Sequence, residues 1–299
     1  MSRLFVFFQY VLPQHLLSRT VGLLAQNHLL RVIFIRAFIR RYKVDLSQAK
    51  IQEVEKFENF NAFFTRELQA DARPLAKDAG AVVCPADGVV SQLGNIAAGK
   101  LLQAKGRDYS CVDLLAGDAA MAELFAEGKF ATIYLSPRDY HRVHMPMAGT
   151  LKKTVYVPGK LFSVNQTTAD SVPDLFARNE RLICLFETDI GPMAVILVGA
   201  MIVAGIDTVW AGQVCPHKGR SEVIQTLYEN QAPTIELPLG GELGRFRLGS
   251  TAIVLFPHGT VEFESSLQAT SIVAMGQLLG QVANVNNRKN EDQHDTGRT

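Results

Sequence analysis

Residues 190–206 read Ile-Gly-Pro-Met-Ala-Val-Ile-Leu-Val-Gly-Ala-Met-Ile-Val-Ala-Gly-Ile. The run is the most apolar of the second half of the chain, and how it is read decides the fold. A bilayer-spanning helix needs roughly 20 apolar residues. This stretch is shorter and is broken by Gly191, Pro192, Gly199 and Gly205. Short apolar runs bounded by Gly and Pro read as buried strands.

The same texture extends from about residue 80 onward. Strands are predicted at Gly88–Leu93, Phe130–Leu135, Gly149–Val157, Arg181–Phe186, Met193–Val198, Ile206–Trp210, Phe246–Leu248, Ala252–Phe256 and Val261–Phe263, with a helical interruption near Val112–Glu127. Many short strands with frequent turn signals predict antiparallel sheets packed as a sandwich or barrel. The tail, 286–299, is polar and charged with almost no apolar content, so it is expected to be disordered.

The N-terminal part differs. Residues 4–44 look helical, with apolar stretches Leu4–Leu12 and Val32–Ile39. Residues 1–44 carry Arg3, Arg19, Arg31, Arg36, Arg40, Arg41 and Lys43 and no acid; the first carboxylate is Asp45. Arg36, Arg40 and Lys43 recur at spacings of four and three, which places them along one helix face. Apolar bulk beside acid-free basic charge fits a helix lying on anionic lipid. A core helix with a solvated basic face is the plainer alternative. Residues 46–80 are more polar and helical in part, and Phe57, Phe60, Phe63 and Phe64 read as a packed amphipathic face. The predicted class is therefore α+β. Membrane-associating helices (1–45) and a helical connector (46–80) precede a β-rich, mostly antiparallel, sandwich- or barrel-like catalytic domain (81–285).

Composition sets outer limits. The net charge over 299 residues is +1, which excludes the global basic excess of a nucleic-acid binder. Cys84, Cys111, Cys184 and Cys215 lie far apart and read as reduced core thiols of a cytoplasmic protein, although spacing alone leaves pairing open. No small-residue cleavage site follows Leu12, as a signal peptide would require.

Three segments could carry chemistry. Phe246-Arg-Leu-Gly-Ser-Thr251 places Gly249 and Ser250 at the edge of an apolar strand, where a backbone can be bent; a plain tight turn is the alternative. Tyr140-His-Arg-Val-His-Met-Pro146 holds two of the seven histidines, His141 and His144. Imidazole suits acid–base work near neutral pH. A metal site is set aside, because no third ligand follows a zinc-type pattern. Pro85-Ala-Asp-Gly88 is an ordinary turn sequence. Asp87 could nonetheless orient a histidine in a Ser–His–Asp set.

Together these segments resemble the bacterial-type phosphatidylserine decarboxylases. Leu248-Gly-Ser-Thr251 resembles that family's self-cleavage motif, Tyr134-Leu-Ser-Pro-Arg-Asp-Tyr-His-Arg-Val-His-Met-Pro146 its histidine motif, and Pro85-Ala-Asp-Gly88 its aspartate motif. Similarity covers about residues 5–280 and is weakest over 215–242 and in the tail. The resemblance implies that Ser250 attacks the Gly249 carbonyl, His144 takes the proton and Asp87 holds His144 in the right tautomer. Cleavage between Gly249 and Ser250 would give a large chain, 1–249, and a small chain, 250–299, held together non-covalently. Ser250 would become a pyruvoyl group, which forms a Schiff base with the substrate amine and accepts electrons as carbon dioxide leaves. His144 is expected to serve cleavage and His141 mainly decarboxylation. The implied reaction converts phosphatidylserine to phosphatidylethanolamine, on the cytoplasmic face of the cell membrane, by a homodimer of processed units. Three other classes compete. One is a lipid-acting serine hydrolase, for which the second glycine of a G-x-S-x-G elbow is missing. The others are a non-catalytic lipid-binding module and a soluble pyruvoyl amino-acid decarboxylase.

Overall fold

The computed structural model describes residues 2–25, 30–104, 106–201, 205–215, 222–229, 232–247 and 250–283. The expected disordered tail and the residues Leu248 and Gly249 lie outside them.

One antiparallel sheet organises the chain. Its strands run in the order Ile224–Leu227, Gly149–Val157, Arg181–Thr188, Gly191–Gly199, Ser250–Phe256, Lys129–Leu135, Gly88–Asn95 and Ile272–Val273, with Glu236–Leu237 also paired to Gly149–Val157. Ser250–Phe256 lies in its middle and is buried at every position. Side chains alternate between faces along a strand. Ala252, Val254 and Phe256 enter one core, while Ile253 and Leu255 enter the other. Met193, Val195 and Leu197 join the first core, and Ala194, Ile196 and Val198 the second. Both faces are covered, so these strands read as continuous apolar runs rather than alternating ones. That is why residues 191–199 read like part of a membrane segment in sequence.

The second core is closed by short helices, Cys111–Leu114, Ala119–Glu123, Gln166–Ala169 and Leu175–Arg178, and by the hairpin Lys100–Ala104 with Arg107–Ser110. The expected helix at Val112–Glu127 is thus two short helices. Ala116 and Gly117 separate them with positive φ, a conformation that does not continue a helix. The first core is closed by a four-stranded sheet, Gly212–Cys215, Ile206–Thr208, Glu242–Phe246 and Arg142–His144, and by a three-stranded one, Ala81–Val83, Leu278–Val282 and Val261–Phe263. Among the described residues no sheet closes on itself, so the barrel alternative is corrected to stacked antiparallel layers. The predicted strand Phe246–Leu248 is also corrected. The strand is Glu242–Phe246, and Arg247 leaves the ladder to bond Gly205 and Asp207.

The N-terminal segment forms helices Ser2–Val11, Gln14–Ala25 and Arg31–Tyr42. None among the described residues is long and apolar enough to cross a membrane. Gln9 and Gln14 fasten the first two to the body: their Oε1 atoms accept from the backbone N–H of Ser163 (2.7 Å) and Leu161 (2.7 Å). The third packs through Ile35 and Phe38 onto Phe57, Phe63 and Phe64. Those phenylalanines lie on or beside the helix Phe60–Phe64, whose Asn59 cap accepts from Ala62 N–H at 2.9 Å.

Candidate active site

The histidine motif begins in the central sheet and ends in the four-stranded one. Leu135 pairs with Ser250, the chain turns through Ser136–His141, and Arg142–His144 then pairs with Glu242–Phe246. Asp139 Oδ2 holds the turn by accepting from Ser136 N–H at 2.7 Å. Phe246 N–H donates to the His141 carbonyl at 3.0 Å. The cleavage motif and the histidine motif are therefore joined by backbone bonds at both ends. By strand parity the Ser250 side chain shares the face of Ala252 and Val254, which carries the four-stranded sheet.

Ser250 is fully buried, and its Oγ has no hydrogen-bond partner among the described residues. An unbonded buried hydroxyl is unusual, since leaving one unpaired costs about 1–3 kcal/mol. The Thr251 and Thr132 hydroxyls are likewise unpaired among the described residues, and neither nitrogen of His144 bonds the Ser250 Oγ: its Nδ1 and Nε2 are taken by Gly240 and Tyr140.

His144 has a defined tautomer. Its Nδ1 faces the Gly240 carbonyl at 2.8 Å, which can only accept, so Nδ1 carries the proton. Nε2 is then an acceptor, and the Tyr140 hydroxyl donates to it at 3.0 Å. Burial lowers the His144 pKa and raises that of Tyr140, so both stay neutral. Gly240 presents its carbonyl from a left-handed conformation, φ +70°, and a Cβ there would meet Leu75 Cδ2 at 2.6 Å.

His141 is different. Its ring packs against Phe64 with centroids 4.0 Å apart and planes tilted by 40°, and Nδ1 donates to the Asp139 carbonyl at 2.8 Å. Nε2 is buried without a partner among the described residues, and burial pushes the pKa down to about 3. His141 is thus a neutral ring with a bare acceptor nitrogen. In this tautomer the proton sits on Nδ1 and Nε2 is an acceptor.

Asp87 lies beside His144 through the backbone, since His144 N–H donates to the Pro85 carbonyl at 2.8 Å. The expected side-chain bond between Asp87 and His144 is not made. Arg73 instead grips the carboxylate with both arms of its fork, Nε to Oδ1 at 2.8 Å and Nη2 to Oδ2, and Met275 N–H donates to Oδ1 at 2.9 Å. A planar guanidinium matches a carboxylate better than a neutral imidazole does. The group that meets the His144 ring at Nδ1 is the Gly240 carbonyl. Gly88 lets the turn sit against the sheet, because a Cβ there would lie 2.2 Å from the Tyr134 carbonyl oxygen.

Arg142 ties the site to the connector. Its Nε donates to the Thr65 carbonyl at 2.9 Å and its Nη1 to Glu242 Oε2 at 2.7 Å, while Nη2 lies 3.3 Å from Glu67. Sequence reasoning missed Tyr140, Gly240 and Arg73. Tyr140 and His144 stand four apart in the quoted motif, a visible signal. A backbone carbonyl has none, and Arg73 stands 14 positions before Asp87 with the strand Ala81–Val83 between them. All four cysteines are buried and free. Among the described residues no three His, Cys, Asp or Glu side chains are grouped to hold a metal.

A serine sequestered from solvent, on a strand paired with the start of the histidine motif where the chain crosses between sheets, is a candidate internal nucleophile. Comparison with known proteins names the family. The phosphatidylserine decarboxylase model matches residues 60–281, and a second model, described as PSD, matches residues 4–43. The phosphatidylserine decarboxylase proenzymes of Ectopseudomonas mendocina and Pseudomonas aeruginosa are each 58% identical to this chain, over 281 and 280 residues; these span 93% of this chain in both cases, and 98% and 96% of theirs. That of Pseudomonas putida is 57% identical over 282 residues, 94% of this chain and 98% of its own. The chain belongs to the phosphatidylserine decarboxylase family.

Proposed function

We propose that this proenzyme cleaves itself between Gly249 and Ser250, leaving a pyruvoyl group at residue 250. As a member of its family it converts phosphatidylserine to phosphatidylethanolamine and carbon dioxide in phospholipid synthesis. The observation that carries the pyruvoyl reading is the buried, unbonded Ser250 hydroxyl at the junction of two sheets. A serine hydrolase would need that hydroxyl open to its substrate.

Ser250 Oγ bonds to the Gly249 carbonyl carbon, the amide C–N bond breaks, and the hydroxyl proton passes to the freed nitrogen. Removal of the residue-250 α-proton then expels the Gly249 carboxylate from Cβ. Water replaces the nitrogen of the resulting dehydroalanine as ammonia. The pyruvoyl group, once formed, supplies an electrophilic carbonyl that binds the substrate amine and takes up electrons as carbon dioxide departs. The strand 250–256 holds that position fixed between its two neighbours.

His144 is the general base we assign to cleavage. Its Nε2 is bare of hydrogen, its ring is oriented by Gly240, and burial keeps it neutral. Tyr140 can return a proton through the same nitrogen. Asp87 and Arg73 act as a neutralised buried pair that fixes Met275 of the small chain beside the histidine strand.

The enzyme works from the cytoplasmic face of the membrane as a peripheral protein. Phe7, Phe8, Tyr10, Val11 and Leu16 are all half or more exposed on the first two helices, as is Ile33 on the third. Such exposed apolar groups favour the interfacial reading over the core-helix one. Arg36 is ion-paired with Glu55, so the basic face foreseen over Arg36, Arg40 and Lys43 is partly neutralised. Reduced pelleting of a Phe7→Ser/Phe8→Ser double variant with phosphatidylserine vesicles is expected; undiminished pelleting would argue against this placement.

The test of the reaction is phosphatidylethanolamine release from phosphatidylserine vesicles. Prior treatment with phenylhydrazine, which consumes reactive carbonyls, is expected to abolish it. Full activity after that treatment would remove the pyruvoyl reading.

A further inference from the structure

Between Phe246 and Ser250 the chain passes from one sheet layer to the other. Phe246 closes the last rung of the four-stranded sheet, pairing with Ile206, and Ser250 opens the central strand. Between them, Arg247 is held at three points. Its N–H donates to the Gly205 carbonyl at 2.8 Å. Its Nε and Nη2 both reach Asp207 Oδ2, at 3.0 and 2.9 Å. Asp207 stands on Ile206–Thr208, a strand paired on both sides and so fixed in place. Its carboxylate is largely buried, and Arg245 Nε is the next cation, 4.0 Å away. Gly205 permits the approach: a Cβ there would lie 2.6 Å from the Cys215 carbonyl oxygen and 3.5 Å from Arg247 Cδ.

Self-cleavage sets a demanding geometry. The nucleophile attacks the carbonyl of its own preceding residue, and that residue is Gly249, the least restrained amino acid. Downstream, Ser250 is fixed by the central sheet. Upstream, something must fix the chain as well, or the carbonyl carbon wanders out of reach of Oγ. Holding reacting atoms in a near-attack arrangement is worth several powers of ten in rate, and a small misplacement costs about a hundredfold.

We propose that the Arg247–Asp207 ion pair is a positioning clamp for self-cleavage. It contributes no atom to the reaction. It holds the chain upstream of Gly249 while the Oγ–carbonyl bond forms, the amide C–N bond breaks and the hydroxyl proton moves to nitrogen. The inference rests on the self-cleaving reading above, and its test separates the two.

The full chain is made by cell-free translation, so that processing starts from uncut protein, and is followed by intact mass under denaturing conditions. Hydroxylamine, which cuts esters and spares amides, reports how much ester has formed. An uncut wild type would defeat the self-cleavage reading itself. With wild type cleaving, R247A and D207N are each expected to process about ten- to a hundredfold more slowly, with less ester trapped than in wild type. R247K keeps the charge and loses the fork, and is expected to fall between wild type and R247A. The fold is checked in an uncleavable S250A background, where adding R247A is expected to leave the melting temperature nearly unchanged. R247A processing at the wild-type rate would overturn the clamp. So would ester accumulating in R247A, which would place the defect after the acyl shift. R247K no faster than R247A, or R247A/S250A melting far below S250A, would reduce the pair to packing.

Discussion

The Tyr140 hydroxyl donates to His144 Nε2 across 3.0 Å, while the opposite ring nitrogen is fixed by the Gly240 carbonyl. The imidazole is thus held in one tautomer with its basic nitrogen already hydrogen-bonded. Removing Tyr140 and removing His144 should differ sharply. Tyr140→Phe deletes one hydrogen bond, worth about 0.5–1.5 kcal/mol, and is expected to slow processing about two- to tenfold. His144→Ala deletes the base and is expected to slow it about a hundredfold or more. Equal effects in a time course of chain cleavage would show that the tyrosine itself carries the proton.

The pH dependence follows from burial. The His144 pKa lies below the ordinary value of 6.5 because the charged ring is poorly solvated. A base acts in its neutral form, so a lowered pKa extends activity toward acid. Self-cleavage is expected to stay fast as pH falls through 6.5 and to lose half its rate only below it. A midpoint at or above 6.5 would show that His144 is solvated or is not the base.

His141 shapes acid stability instead. Its pKa is 6.5 when unfolded and about 3 when buried. Above 6.5 both states are neutral and the group exerts no pH dependence; as pH falls from there toward 3, only the unfolded chain takes up the proton. Stability is therefore lost with falling pH across that window. His141→Gln in an uncleavable background should flatten this part of the melting-temperature profile, and an unchanged slope would mean that other groups set it.

The same two histidines show how far the sequence reaches. Their spacing and the serine that follows Gly249 marked candidate residues, and the resemblance to a known family supplied the roles expected of them. The strands with two buried faces, such as Met193–Val198, were legible because their apolar runs are continuous. Short edge strands such as Ile224–Leu227 were not legible, because they alternate between partly buried and exposed residues and gain stability only from a neighbour. The hydrogen-bond partners were not legible either. Asp87 takes Arg73 and His144 takes a carbonyl because the fold delivers them, and neither partner has a fixed spacing along the chain.

Arg73 and Asp87 form a largely buried ion pair, so losing one partner strands the other. Arg73→Ala is expected to destabilise the protein by about 3–5 kcal/mol, a large part of a typical domain's stability. Asp87→Asn also loses the anion, leaving Arg73 unpaired, and should destabilise too. Chemical denaturation in an uncleavable background measures both. A change under 1 kcal/mol for Arg73→Ala, roughly the value of an exposed pair, would mean that water reaches the site freely.

Cleavage should not separate the chains. Ser250–Phe256 is the middle of the central sheet, Ile272–Val273 pairs with Gly88–Asn95, and Leu278–Val282 pairs with Ala81–Val83, all large-chain partners. The small chain would therefore leave a gap through both cores. Under native conditions the processed protein is expected to retain both chains at the mass of their sum; free small chain would contradict the layered structure.

The most direct measurement is the intact mass of the denatured wild-type protein beside Ser250→Ala. Two fragments meeting between Gly249 and Ser250 are expected in the wild type, the small one lighter by one ammonia than its simple hydrolysis product, with Ser250→Ala uncut. A single uncut wild-type chain, or a small fragment that keeps its serine amine, would contradict the self-made pyruvoyl group on which the account depends.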